Sequence, residues 1–76
     1  MKIEYSKGAD ALYVYFKQAE VARSKEVEEG VVIDLDAEGH LIGIEILDAS
    51  VRVGIPDLAN VSIENLPLEM VVPSRD

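Results

Sequence analysis

Residues 30–48, Gly-Val-Val-Ile-Asp-Leu-Asp-Ala-Glu-Gly-His-Leu-Ile-Gly-Ile-Glu-Ile-Leu-Asp, constrain the fold of this chain more than any other stretch. Two β-branched runs, Val31 to Leu35 and Leu41 to Leu47, flank Asp36-Ala37-Glu38-Gly39. β-branched side chains favour a pleated surface over a helix, Asp opens a turn, and Gly supplies the left-handed residue that such a loop needs. The stretch is therefore read as a β-hairpin.

Its register is open in one respect. A three-residue loop, Ala37-Glu38-Gly39 with Gly39 as the bulge, sets Leu35 opposite Leu41 and Ile33 opposite Gly43, and splits the Ile42, Ile44, Ile46 row onto the opposite face. A loop that also includes His40 aligns Val31, Ile33 and Leu35 with Ile46, Ile44 and Ile42, and leaves Asp34, Asp36, Gly43 and Glu45 outside. Turn chemistry favours the first register and hydrophobic pattern the second.

The rest of the chain extends this β reading. Lys2-Ile3-Glu4-Tyr5 alternates as a short strand with Ile3 and Tyr5 on the buried face, and residues 6–10 turn the chain. Ala11 to Phe16 is the densest β-forming run, with Leu12, Val14 and Phe16 on one face and Ala11, Tyr13 and Tyr15 on the other. Because both faces are apolar or amphipathic, this strand is expected to be covered on both sides. In Val21 to Val27, Val21, Arg23, Lys25 and Val27 alternate with Ala22, Ser24 and Glu26; this reads as an edge strand, whose charged side chains guard against pairing with other molecules. After the hairpin, Asp48 is placed to cap a short helical turn, and Leu58, Val61, Ile63 and Leu66 suggest a brief helix within 57–66. Pro67 ends it, and Leu68 to Val72 reads as an apolar C-terminal arm. The expectation is one domain over residues 1–76, a mainly β (β-rich α+β) fold. It is an antiparallel meander of about five strands with one short helix after the last hairpin.

Size then bears on function. A 76-residue chain sits where a single core supplies only about 3–5 kcal/mol beyond its entropy cost. Cys 0 removes disulfides and thiolate metal sites, and His 1 argues against structural zinc, so no cofactor is expected. Oligomerisation is the remaining common source of stability, and a hydrophobic content of 49% favours it, since a lone small sheet cannot hide so much apolar surface. The expected state is a homodimer. With Asp+Glu 15 against Lys+Arg 7, a net charge of -8 opposes approach to a phosphate backbone, so nucleic acid is not an expected partner, whereas a basic protein fits the field. The chain carries no apolar run of the roughly 18 residues that a membrane span needs and no leader-like start, which makes the cytoplasm the expected address.

The candidate chemistry is sparse. Asp34, Asp36, Glu38, Glu45 and Asp48 form the main concentration of carboxylates, and His40, the sole imidazole, sits beside the turn. Grouped carboxylates can hold a divalent cation, or exchange protons when burial raises one pKa. A weak binding or acid/base site built from Asp34, Asp36, His40 and Glu45 is therefore the competing reading. Against it stand a calcium-loop spacing that lacks flanking helices, and serines without elbow or triad context. Glu45 is either the polar half of an alternating strand or, if buried, paired with Arg23, Lys25 or Arg52. The preferred reading is a non-enzymatic, self-associating protein-interaction module, in one version part of a small paired regulatory system in which its acidic surface covers a basic protein.

Two parts of the chain carry a family resemblance. Met1-Lys2-Ile3-Glu4-Tyr5 and Ala9-Asp10-Ala11-Leu12-Tyr13-Val14 are one; Gly30-Val31-Val32-Ile33-Asp34-Leu35-Asp36, Gly39 and Gly43-Ile44-Glu45-Ile46-Leu47-Asp48-Ala49-Ser50 are the other. In this order they resemble the small prokaryotic domain-of-unknown-function family numbered 2283, over the first two thirds of the chain. Members often carry an acidic residue where this chain has Ser6. The resemblance implies a compact β-meander with a short helix and no reaction.

Overall fold

A computed structural model describes residues 1–67. It consists of β1 (Lys2–Ser6), β2 (Ala11–Tyr15), β3 (Arg23–Glu28), β4 (Val31–Leu35), β5 (Leu41–Leu47), α1 (Ala49–Arg52) and α2 (Ile55–Leu58). The strands form one antiparallel sheet in the order β1-β2-β5-β4-β3. The β1–β2 hairpin and the β3–β4–β5 meander are thus joined by pairing β2 to β5, and residues 16–22 carry the chain to the far edge. Composition explains the order. The two runs richest in β-formers, Ala-Leu-Tyr-Val-Tyr and Leu-Ile-Gly-Ile-Glu-Ile-Leu, lie side by side inside the sheet. Lys-Ile-Glu-Tyr-Ser and Arg-Ser-Lys-Glu-Val-Glu, with their charges, take the two edges, where unpaired backbone must meet water rather than another chain.

The β4–β5 hairpin contains both expected registers. Leu35 faces Leu41, as the three-residue loop requires; a bulge at the next pair then sets Asp34 against Gly43, Ile33 against Ile44 and Val31 against Ile46. Turn chemistry governs the loop, where the Gly39 amide donates to Asp36 O at 3.0 Å and Gly39 takes φ 85°. The extra residue in β5 restores the hydrophobic pairing beyond it. A second bulge between Glu26 and Glu28 shifts the pairing of β3 with β4.

These registers sort the side chains onto two faces. Ile3 and Tyr5 of β1 lie opposite Val14 and Leu12 of β2, which lie opposite Ile44 and Ile46 of β5, which lie opposite Ile33 and Val31 of β4. This apolar face is poorly covered. Ala11, Leu12, Ile42 and Ala49 are buried, but among the described residues no large side chain is wholly so. Ile3 and Tyr5, expected to be buried, are 44% and 37% exposed, because β1 is an edge strand and, among the described residues, no second layer packs over its end of the sheet.

The helical part also departs from expectation. Two helices of four residues follow β5 rather than one, and the helix expected within 57–66 is replaced by α2 at Ile55–Leu58, started early by Pro56 with its preset φ. Residues 59–67 form no helix, and Val61, Ile63 and Leu66 are exposed. Asp48 occupies the cap position of α1 but has φ 52° and makes no side-chain capping bond. The cap comes instead from Asp10 in the β1–β2 turn: Ala49 N donates to Asp10 O at 2.9 Å, Ser50 N to Asp10 Oδ1 at 3.0 Å and Ser50 Oγ to Asp10 Oδ2 at 2.7 Å. The expected arm at 68–72 lies outside the described residues. Among those described, no helix is long and apolar enough to cross a membrane.

Candidate functional site

The second face of the sheet holds the chemistry. Strand alternation sends Tyr13 and Tyr15 of β2 to this face, where their rings stack with centroids 6.2 Å apart and planes 13° from parallel. Two cross-strand rows run through them. One passes Glu4, Tyr13, Glu45, Val32 and Glu26; the other passes Lys2, Tyr15, Gly43, Asp34 and Ser24. Lys2 Nζ lies 5.1 Å from the centre of the Tyr15 ring, a cation–π contact. Burial first, and then the charge of Glu4, raises the pKa of the Tyr15 hydroxyl.

Asp34 and Glu45 meet between these rows. Asp34 is only 4% exposed, in contrast to the expectation that it lies outside, and the Ser24 hydroxyl donates to its Oδ1 at 2.6 Å. Gly43, also buried, makes this possible. A Cβ there would stand 2.8 Å from Val14 O and 3.8 Å from Asp34 Oδ2, so a side chain would force apart the backbone beneath the carboxylate. Glu45 is half-buried beside it. A hydrogen bond to Asp34 is the largest cause, followed by burial and the negative charge of Asp34, that pushes the Glu45 pKa up from 4.5 to about 7. A negative carboxylate so close disfavours a second charge beside it, so the Glu45 carboxyl keeps its proton to a higher pH than an isolated one. Neither basic residue of β3 serves as partner: Arg23 and Lys25 pair with Leu35 and Ile33 and so belong to the opposite face, while Arg52 Nη1 stands 3.8 Å from Glu28 Oε2.

Asp36 and His40 form a separate group at the hairpin turn. Asp36 Oδ1 accepts from Glu38 N at 2.9 Å and His40 N at 2.8 Å, closing an Asx-type turn. The His40 amide is the larger cause, with the Glu38 amide adding to it against opposing burial, that lowers the Asp36 pKa. The imidazole is exposed, with Nδ1 3.8 Å from Asp36 Oδ2 and 3.6 Å from Glu38 Oε1. One ligand-type atom from each of Asp36, Glu38 and His40 falls within 4.8 Å of the others, an arrangement that exposed turns adopt without an ion. The four residues singled out in the sequence thus make two pairs, Asp34 with Glu45 on the sheet and Asp36 with His40 in the loop.

A third cluster escapes the sequence reading. Asp10 binds Ser50, forty positions away, and accepts from Tyr5 Oη at 2.7 Å. The Tyr5 hydroxyl first, then Ser50, holds the Asp10 carboxyl below its usual range, and the same bond raises the Tyr5 pKa. Its role is to fasten α1 to the β1–β2 turn. Spacing along the chain gives no sign of it, although Asp10 and Ser50 both fall within the segments that carry the family resemblance.

Residues 2–50 match a family model described as "Protein of unknown function (DUF2283)". Neither the curated proteins nor the solved structures contain a match to the chain.

Proposed function

From the premise that the chain belongs to the DUF2283 family, whose description assigns no activity, we propose that it is a non-enzymatic protein-interaction module that works by self-association through the apolar face of its sheet. The uncovered state of that face is the observation that supports this reading. Ile44 and Ile46 lie on the central strand, with Val14, Ile33 and Val31 beside them, and all five remain partly open to water. In a two-layer domain such residues form the innermost core.

The size of the face suits a dimer. Five strands about 4.8 Å apart and about 3.3 Å per residue span roughly 24 by 17 Å, on the order of 400 Å² in projection and more along the side-chain contours. Two such faces together approach the roughly 1,200 Å² at which specific interfaces begin. Sheet-on-sheet packing would hide the isoleucine row as the inner faces of a β-sandwich are hidden. Sedimentation equilibrium tests the reading. A dimer at micromolar concentration is the expected result, with Ile44→Lys shifting the population to folded monomer because a buried ammonium has no partner there. A wild-type chain that stays monomeric and folded at the same concentration refutes it.

A further inference from the structure

The two edges of the sheet are not alike. β3 is bent by the bulge between Glu26 and Glu28, which spoils it as a template for another strand. β1 pairs with β2 without a break from Lys2 to Ser6, and among the described residues no strand pairs with its other side. Met1, Ile3 and Tyr5 are exposed along that side.

The ladder fixes which backbone groups the open edge offers. The Phe16 amide donates to Ile42 O at 2.9 Å, one step beyond the Tyr15 and Gly43 pair, so the even residues of β2 bond to β5 and its odd residues to β1. Tyr15, Tyr13 and Ala11 stand opposite Lys2, Glu4 and Ser6. Lys2, Glu4 and Ser6 therefore direct their N–H and C=O groups to β2, while those of Ile3 and Tyr5, with Met1 in step, point outward.

An antiparallel ladder to a second copy of β1 must match outward groups with outward groups, and the side chains then select one register. Centred on Lys2 or on Glu4, the pairing sets two like charges against each other. Centred on Tyr5, it runs past the end of β1 and leaves Lys2 unpaired. Centred on Ile3, it sets Lys2 of each copy opposite Glu4 of the other, Ile3 opposite its own counterpart and Met1 opposite Tyr5. Lys2 and Glu4 then form the non-hydrogen-bonded pairs, in which side chains stand closest. The Lys2 ammonium, already over the Tyr15 ring, keeps donors for that carboxylate.

We propose that β1 pairs antiparallel with β1 of a second copy about a two-fold axis at Ile3, joining two five-stranded sheets into one. The charges that keep foreign strands off this edge become complementary when the strand meets itself, as an isologous contact requires. The contact uses the sheet edge and leaves the apolar face free, so it does not rest on the face reading. Strands this short bury less than the roughly 1,200 Å² of a standard interface, so the pairing is weak and forms at higher concentration than a face-to-face dimer.

The test is disulfide cross-linking under mild oxidation, in a chain that has no cysteine of its own. Cα atoms of a hydrogen-bonded antiparallel pair lie about 5.5 Å apart, within the span of a disulfide. At about 0.5 mM protein, Ile3→Cys should cross-link about tenfold faster than Tyr5→Cys, whose thiol-bearing residues this register holds about 13 Å apart. Adding either Lys2→Glu or Glu4→Lys to Ile3→Cys should slow the reaction about tenfold, although net charge alone would move the two in opposite directions. Mixing the two doubly substituted chains should restore it, since each supplies the charge that the other lacks. Equal rates for Ile3→Cys and Tyr5→Cys, or rates indifferent to the charge variants, overturn the proposal. The same comparison in folded Ile44→Lys separates the edge from the face: a cross-link that persists there supports the edge pairing even if the face reading fails, and one lost there overturns it.

Discussion

Glu45→Gln offers a direct reading of the carboxyl pair. The unfolded chain titrates Glu45 near 4.5 and the folded chain near 7, so between these values the folded state holds a proton that the unfolded state has lost. The stabilisation from this group is complete below about pH 4.5, declines through the window, and is gone above about pH 7. A difference of this size corresponds to about 3 kcal/mol at full strength. Glu45 is partly open to water, and screening reduces the measurable effect to about 1.5–2 kcal/mol. Gln removes the titration while its amide can still donate to Asp34. The wild type should therefore lose that much stability between pH 5 and pH 8 relative to the variant, which overtakes it at pH 8 by roughly 10 °C in Tm for a chain of this length. Urea unfolding followed by circular dichroism at fixed protein concentration, at half-unit pH steps, measures the difference. Parallel stability profiles for the two proteins across this window would refute the raised pKa of Glu45.

Other perturbations test the supports of the site. Ser24→Ala strips the buried Asp34 of its hydroxyl donor and should cost about 1–3 kcal/mol in the same unfolding assay. Gly43→Ala places a Cβ 2.8 Å from Val14 O, so the β2–β5 pairing must spread; a loss of about 1–3 kcal/mol is expected, with faster amide exchange along both strands. Asp10→Ala should release α1 while leaving the sheet intact, detected as loss of exchange protection at Ala49 and Ser50 with the strand amides unchanged.

The hairpin illustrates how much the linear chain can say about the candidate site. Its two strands, its turn and the competing claims on its register are local matters, decided by β-branched runs, by Asp36 and by Gly39. Both claims are met because a bulge lets turn chemistry rule at Leu35–Leu41 and hydrophobic pairing rule from Asp34–Gly43 onward. Asp34 and Glu45 stand out as acids in apolar strands, but their meeting depends on the face to which that bulge delivers them. A basic partner for Glu45 at Arg23 or Lys25 fails for the same reason of parity. The brief helix at 57–66 fails differently, since a short, weakly periodic segment has no helix of its own without a surface to pack on, and residues 59–67 all lie exposed.

The sequence by itself determined the strand-forming runs, the charged edges and the turns, because each depends on side-chain shape and spacing within a few residues, and its lack of cysteine excludes disulfides. Only the tertiary structure decided that β5 inserts beside β2, that Asp10 caps a helix forty residues away, and that tyrosines and carboxylates line one face while isoleucines line the other. These follow from strand order and register, which are set by long-range pairing and are invisible to any short window of the chain.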